Sequence, residues 1–178
     1  MKPEDQKTLV RRAQAGDADA FGELYADLRH DLFRFAYYQT SSPHLAEDAV
    51  SDCVLLAFQN IRQLKKAQSV RSWFFSILLN CCRRKQREKA LQTQLLDIED
   101  CCRLLGQESD PASHAALHMA LRQLPDADRE LLLLSVLFGY SSKELAEMTG
   151  SKSGTVRSRL SRTKDTLRTM LREGDEQS

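Results

Sequence analysis

Basic and hydroxyl side chains are concentrated near the carboxyl end of this sequence, where they could hold a polyanion. Residues 151 to 172 carry seven Lys or Arg residues against one acid, Asp165. Within the stretch GTVRSRLSRTK the only large apolar residues are Val156 and Leu160. Arg and Lys pair with phosphates, whereas Ser, Thr and Arg can also reach base edges in a major groove. A solvated helix usually mixes both signs of charge, so this composition predicts contact with DNA.

The apolar residues of this segment predict a helix with one buried face. At 3.6 residues per turn, Val156, Leu160, Leu167 and Leu171 fall on one side. The side chains expected away from that stripe are hydroxyls and Arg, namely Thr155, Ser158, Ser161 and Arg162, with Arg157 and Arg159 on its flanks. Such a face can approach the floor of a major groove closely.

The residues before this helix predict a helix-turn-helix. Ser141, with Glu144 three residues later, forms a capping box for a short helix over residues 142 to 149. Gly150 supplies a tight turn, and the basic helix is expected to start near Ser151. A short helix, a glycine turn and a longer basic helix is the arrangement that places a recognition helix in DNA.

A second basic cluster lies in the middle of the chain. Residues 83 to 89, RRKQREK, contain five basic residues and one acid. Between the two clusters, residues 95 to 110 contain five acids and one Arg, together with Gly106 and Ser109. This acidic segment is the best candidate for a linker. Two basic patches separated by an acidic connector indicate two contacts with a polyanion.

Apolar spacing elsewhere predicts an all-helical fold, because no segment alternates apolar and polar residues as a half-buried strand does. One long stripe follows steps of three and four: Phe21, Leu24, Tyr25, Leu28, Leu32, Phe35 and Ala36. The next helix is expected to begin at the N-cap Ser42 with Pro43 in its first turn. Its pattern groups Leu45, Ala49, Cys53 and Leu56 on one side and Val54, Leu55 and Phe58 on the other. A helix apolar nearly all round needs cover on both sides, from its own bundle or from another protein.

Composition limits the class of protein. The chain has 178 residues, of which 42% are hydrophobic and 29% charged, as in a globular protein. The longest apolar runs, at residues 74 to 79 and 131 to 138, are far shorter than the roughly 20 residues that span a bilayer. The polar N-terminus lacks the apolar core of a secretory signal. We therefore expect a cytoplasmic protein.

Neither metal nor catalysis is indicated strongly. A zinc site would combine Cys101 or Cys102 with His114 and His118, but the C-x2-C spacing typical of zinc sites is absent. Five cysteines, an odd number with two adjacent pairs, suit a reducing compartment better than a disulfide framework. No phosphate-cradling GxxxxGK is present. We expect no metal, no cofactor and no enzymatic activity.

Two stretches resemble one family. SSKELAEMTGSKSGTVRSRLSRTKDTLRTML, preceded by LPDADRELLLL, resembles region 4 of bacterial RNA polymerase sigma factors, particularly the extracytoplasmic-function (ECF) group of the sigma-70 family. AEDAVSDCVLLAF, followed by SWFFSILLN, resembles region 2 of the same family. The resemblance implies two small helical domains: region 2 in residues 1 to 92, a flexible acidic linker in 93 to 113, and region 4 in 114 to 178.

The resemblance also implies partners and roles. In this family region 2 binds the clamp of core RNA polymerase and opens the −10 promoter element, while region 4 reads the −35 element and docks on the flap. The implied polymerase-binding residues are Asp48, Ser51, Asp52, Leu55 and Phe58. The implied −10 contacts are Lys65, Lys66, Gln68, Ser69, Arg71, Asn80, Arg83, Arg84 and Arg87. The implied −35 contacts are Ser151, Lys152, Ser153, Thr155, Arg157, Ser158, Arg159 and Arg162.

A further implied partner is an anti-sigma factor, which could hold the protein at the membrane without direct insertion. Two departures from the family pattern affect the assignment of roles: Ser51 replaces the usual Gln, and Arg84 stands where Asp is common. The alternative class is a stand-alone helix-turn-helix regulator of the LuxR type, whose last helix has a similar arrangement. That class usually lacks the Ser-Arg-Leu-x-Arg continuation found here.

Overall fold

The computed structural model describes residues 3–91 and 111–175, and these residues form eight α-helices and no strand. The chain divides into two compact units, Met1–Gln94 and Leu95–Ser178. The predicted all-helical class is therefore confirmed, as is the division into two helical domains. Most of the predicted acidic linker lies outside the described residues.

Four helices form the first unit, joined in part by two short 3-10 turns. They are α1 (Pro3–Gln14), α2 (Ala18–Thr40), α3 (Pro43–Asn60) and α4 (Val70–Leu91). The 3-10 turns, Ile61–Gln63 and Ala67–Ser69, lie between α3 and α4. The predicted stripe on α2 is buried except for the half-buried Tyr25. Helix α1 was not anticipated by the sequence pattern, yet it packs against α2 and both 3-10 turns.

Helix α3 buries small residues between α2 and α4. It is capped by Ser42, whose hydroxyl accepts from the Leu45 amide at 3.4 Å, and Pro43 stands at its start as predicted. Its buried residues are Ala46, Ala49, Val50, Cys53 and Ala57. The prediction that Leu56 belongs to this face is wrong, because its side chain is 37% exposed. The buried row of α3 consists largely of alanines, whose small side chains let the neighbouring helices approach closely. Leu56 lies beside this row rather than on it.

The connection between α3 and α4 is held by buried apolar side chains and by hydrogen bonds from α1. Leu64 and Val70 are buried on either side of the exposed Lys65 and Lys66. From α1, the Gln14 side-chain amide donates to the backbone oxygens of Ile61 at 3.1 Å and Leu64 at 2.8 Å. The polar break predicted between two helices is thus held in place by a residue of the unanticipated first helix.

The second unit contains α5 (Pro111–Gln123), α6 (Asp126–Phe138), α7 (Ser142–Thr149) and α8 (Ser153–Asp175). Helix α7 has the predicted bounds and the predicted capping box between Ser141 and Glu144. Gly150 ends it with a φ of 66°, a conformation that costs glycine little. Helix α8 begins at Ser153, two residues after the predicted start, and packs against α5, α6 and α7.

We predict that Gln14→Ala lowers the free energy of unfolding of the first unit by about 1 to 2 kcal/mol, because two backbone oxygens lose their donor. Chemical denaturation followed by circular dichroism measures this change. The matched control is Gln59→Ala, which removes an exposed amide of α3. Equal losses for the two variants would show that the Gln14 hydrogen bonds do not stabilise the connection.

Candidate nucleic-acid interface

Helix α8 divides into a buried face and a polar face. Val156 and Leu160 are 1% and 7% exposed, and the Thr163 hydroxyl is directed at the helix itself, donating to the Arg159 oxygen at 2.9 Å. The exposed residues of the polar face are Thr155, Arg157, Ser158, Ser161 and Arg162. In the turn before α8, Ser151 and Lys152 are exposed, whereas Ser153 is half-buried. The predicted division of this helix is confirmed at its amino-terminal half.

Two of the polar side chains on this face fold back onto the helix. The Ser158 hydroxyl donates to the Thr155 oxygen at 3.0 Å, and Arg162 Nε donates to the Ser158 oxygen at 3.4 Å. Both contacts are local and exposed. A ligand that offers a phosphate or a base edge can replace them at little cost, because their loss is compensated by the new hydrogen bond.

Arg159 differs from the other Arg residues of α8. Its Nε and Nη2 both lie 2.7 Å from one carboxylate oxygen of Asp128 in the first turn of α6. The two side chains are 33% and 25% exposed. Charge-assisted hydrogen bonds of this kind fix orientation as well as contributing energy. Arg159 therefore ties α8 to α6, a role that its position on the flank of the stripe did not reveal.

The basic end of α4 presents the second polar surface. Asn80, Arg84 and Arg87 are exposed, and Arg83 is half-buried. Arg84 Nη2 lies 2.7 Å from Asp52 of α3, so this Arg forms an ion pair across the two helices. The hydrogen bond to Asp52 raises the pKa of Arg84 above its ordinary value.

The loop before α4 carries the remaining residues predicted to contact the −10 element. Lys65, Lys66 and Gln68 are exposed, and Ser69 is half-buried. Arg71 lies at the start of α4, where its Nη2 is 2.7 Å from Asp31 of α2 and its guanidinium carbon 6.0 Å from the centre of the Phe75 ring. That contact anchors α4 to α2, while the loop lysines extend into solvent.

An apolar patch lies on the outer side of α3. Leu55 is 61% exposed and Phe58 49% exposed, and Ser51 is exposed beside them. The Phe58 ring meets the Phe21 ring edge to face, with 5.1 Å between their centroids. Asp48 and Asp52 are half-buried on the side towards α4. Helix α3 packs between α2 and α4, and among the described residues this outer part of it stays exposed.

No group of three or more potential metal ligands occurs within residues 3–91 and 111–175. Cys101 and Cys102 lie outside the described residues, so the zinc alternative is not tested. Burial raises the pKa of Cys53 and lowers the pKa of His118. No helix in the described part of the chain is long and apolar enough to cross a membrane.

Several residues of these surfaces were missed in the sequence. Asp31, Lys85 and Asp128 each pair with an oppositely charged residue from another helix. Their partners are 40, 33 and 31 positions away along the chain, so no local spacing marks the pairs. A sequence reveals an ion pair when opposite charges stand three or four residues apart within one helix. The pairs between helices show no such spacing.

Comparison with known proteins agrees with this geometry. Residues 24–91 match Sigma-70 region 2 and residues 114–167 match Sigma-70, region 4. The ECF RNA polymerase sigma factor SigM of Mycobacterium tuberculosis is 31% identical over 164 residues, which cover 92% of this chain and 83% of SigM. SigV of Bacillus subtilis, an RNA polymerase sigma factor, is 26% identical over 84% of this chain and 89% of its own length.

Solved structures show the same fold. CnrH, solved in complex with the cytosolic domain of CnrY, gives a TM-score of 0.74 at 24% identity and covers 95% of this chain and 98% of its own. The sigma factor RpoE of Bartonella quintana, solved with the anti-sigma factor NepR, gives 0.72 at 23% identity over 85% of this chain and 96% of its own.

The matches to sigma-70 region 2 and region 4, in this order along the chain, identify a bacterial transcription initiation factor. The chain belongs to the ECF group of the sigma-70 family. It is an RNA polymerase sigma factor, whose partners are core RNA polymerase and promoter DNA. The stand-alone LuxR-type regulator is not favoured, because that class does not account for the region 2 match.

We predict that Asp128→Asn lowers the free energy of unfolding of the second unit by about 0.5 to 1 kcal/mol, because a partly exposed ion pair contributes about this much. Thermal and chemical denaturation measure it. Asp165→Asn is the control, since it breaks an exposed pair with Arg168 inside α8. A loss no larger than the control's would show that Arg159 and Asp128 do not hold α8 against α6.

Proposed function

We propose that α8 reads the −35 element and that the loop and basic end of α4 hold the −10 element. The observation that carries the first assignment is the polar face of α8, where hydroxyls and Arg are exposed opposite a buried apolar stripe. A recognition helix in a major groove needs such a face. Arg157 and Arg162 contact the DNA, whereas Arg159 positions the helix through Asp128.

The −10 assignment is supported by charge and exposure. Capture of a single strand needs cations along the backbone and a surface on which a base can stack. Lys65, Lys66, Arg83 and Arg87 supply positive charge. The half-buried Trp73, whose ring lies edge to face on Phe74 at 5.5 Å, supplies an aromatic side chain nearby.

The outer side of α3 is proposed as the polymerase-binding surface. Leu55 and Phe58 supply apolar area, and Asp48, Ser51 and Asp52 supply polar groups along the same helix. Region 2 then extends over residues 1 to 92 and binds the polymerase clamp. Region 4, residues 114 to 178, docks on the flap, and residues 93 to 113 connect them.

Localisation and catalysis follow from this role. The protein acts in the cytoplasm, where promoter DNA and polymerase are found, and it performs no reaction of its own.

Because RpoE was solved with an anti-sigma factor, we propose that a similar inhibitor holds this chain, with membrane attachment through that inhibitor. Co-purification from the native host should recover a stoichiometric small partner; recovery of polymerase alone under all growth conditions would contradict this.

Run-off transcription with purified core polymerase, with and without the chain, tests the function. Discrete start sites that depend on the chain and share two upstream elements are expected. DNA binding without core, and no new transcript with it, would contradict the sigma role and favour a stand-alone regulator.

We predict that Arg157→Ala and Arg162→Ala each weaken binding to a −35 duplex, and that the slope of log affinity against log salt falls by about one per lost phosphate contact. Fluorescence anisotropy at several salt concentrations measures both quantities. Arg172→Ala, at the far end of α8, is the matched control and should leave binding nearly unchanged. If all three variants bind like the wild type, α8 does not lie in the groove.

We predict that Leu55→Ser weakens binding to core polymerase about tenfold, because an exposed apolar anchor of an interface is lost. Leu55→Met is the control, since it keeps the apolar area at the same position. Surface plasmon resonance with immobilised core measures both affinities. A Met variant as weak as the Ser variant would point to a fold defect rather than to a lost contact.

A further inference from the structure

One carboxylate joins two of the proposed binding surfaces. Asp52 belongs to α3, which is assigned to the polymerase, whereas Arg84 and Lys85 belong to the basic end of α4. Arg84 Nη2 and Lys85 Nζ approach the same oxygen, Asp52 Oδ2, at 2.7 and 3.1 Å. Lys85 also lies 3.9 Å from Asp48. Two cations at the basic end of α4, beside the proposed strand surface, are thus partly neutralised from the neighbouring helix.

The ion pairs of Asp52 with Arg84 and Lys85 are weak enough for other ions to replace either partner. The side chains of Arg84, Asp52 and Lys85 are 49%, 30% and 19% exposed. Pairs open to solvent contribute little to stability and are easily replaced by competing ions. Partial burial alone would raise the pKa of Asp52, yet hydrogen bonds from Lys85 and Arg84 outweigh it and lower that pKa. The carboxylate therefore stays charged and available to any cation that displaces these two.

We propose that Asp52 couples the two surfaces by exchanging partners: in the free chain it restrains Arg84 and Lys85, and a cationic group of the polymerase that binds Asp52 releases them to the promoter strand. This inference rests on the proposed function. Coupling between two binding sites is reciprocal, so DNA bound at Arg84 also frees Asp52 for the polymerase.

The first test measures binding of the full chain to a fluorescein-labelled single-stranded oligonucleotide by anisotropy. Asp52→Asn should tighten binding about three- to fivefold, and the slope of log affinity against log salt should steepen by about one as up to two phosphate contacts are gained. The matched control is Glu47→Gln, an exposed position on the same helix with the same change in net charge. It should change affinity less than about 1.5-fold.

Two further measurements separate exchange from simple charge. In an Arg84→Ala, Lys85→Ala background, Asp52→Asn should have no effect on DNA binding, because nothing remains to be released. Without DNA, the double variant Arg84→Ala, Lys85→Ala should tighten binding to core polymerase about two- to threefold, since it removes both cations that Asp52 holds. If these two cations acted only on DNA, their removal would leave binding to core polymerase unchanged, and that result would overturn the proposal.

Other outcomes are equally decisive. Equal effects of Asp52→Asn and Glu47→Gln would mean that only net charge matters, and the exchange would be excluded. If Arg87→Ala weakens strand binding while Asp52→Asn changes nothing, the strand surface stands and the coupling fails. Absence of chain-dependent transcripts would instead contradict the proposed function itself. Circular dichroism of each variant confirms that the fold is retained.

Discussion

The packing of α3 against its neighbours is the constraint on which the first unit depends. Because the buried face of α3 is made of Ala46, Ala49, Cys53 and Ala57, helices α2 and α4 can approach closely on both sides of it. Large side chains of α2 and α4, such as Phe35 and Phe74, fill the rest of the core around these small residues. Leu55 and Phe58 lie away from the buried row of α3, where they form an exposed apolar surface.

Electrostatic contacts between helices divide the basic residues into two groups. Arg71, Arg84 and Arg159 each pair with a carboxylate from another helix at 2.7 Å. These residues orient α4 and α8 relative to their neighbours before any ligand arrives. Exposed residues such as Arg157 and Arg87 form no ion pair among the described side chains, so their charge remains available to phosphate. The number of basic residues in a sequence cluster is therefore larger than the positive charge that is available to a nucleic acid.

The sequence predicted caps and turns formed by neighbouring residues, but it did not predict contacts between residues that are distant along the chain. The capping box at Ser141, the turn at Gly150 and the cap at Ser42 depend on neighbours within four residues, and all three were confirmed. The grouping of Leu56 with the buried residues Ala49 and Cys53 was predicted wrongly, because helical periodicity alone does not say which residues of a helix lie in the core. The ion pairs of Arg71, Arg84 and Arg159 with other helices and the hydrogen bonds from Gln14 join residues more than 30 positions apart, and periodicity contains no information about them.

Surface ion pairs and core packing place different demands on the sequence of this sigma factor. A fold shared at 24% identity depends on the size and spacing of core residues, which tolerate many substitutions. A surface ion pair instead depends on two particular side chains, and it is lost when either charge is removed or reversed. Arg84 is exposed on α4 and pairs with Asp52 of α3, so a change of charge at position 84 would alter what Asp52 can bind while the core stays the same. Differences in partner choice can therefore accumulate at such pairs.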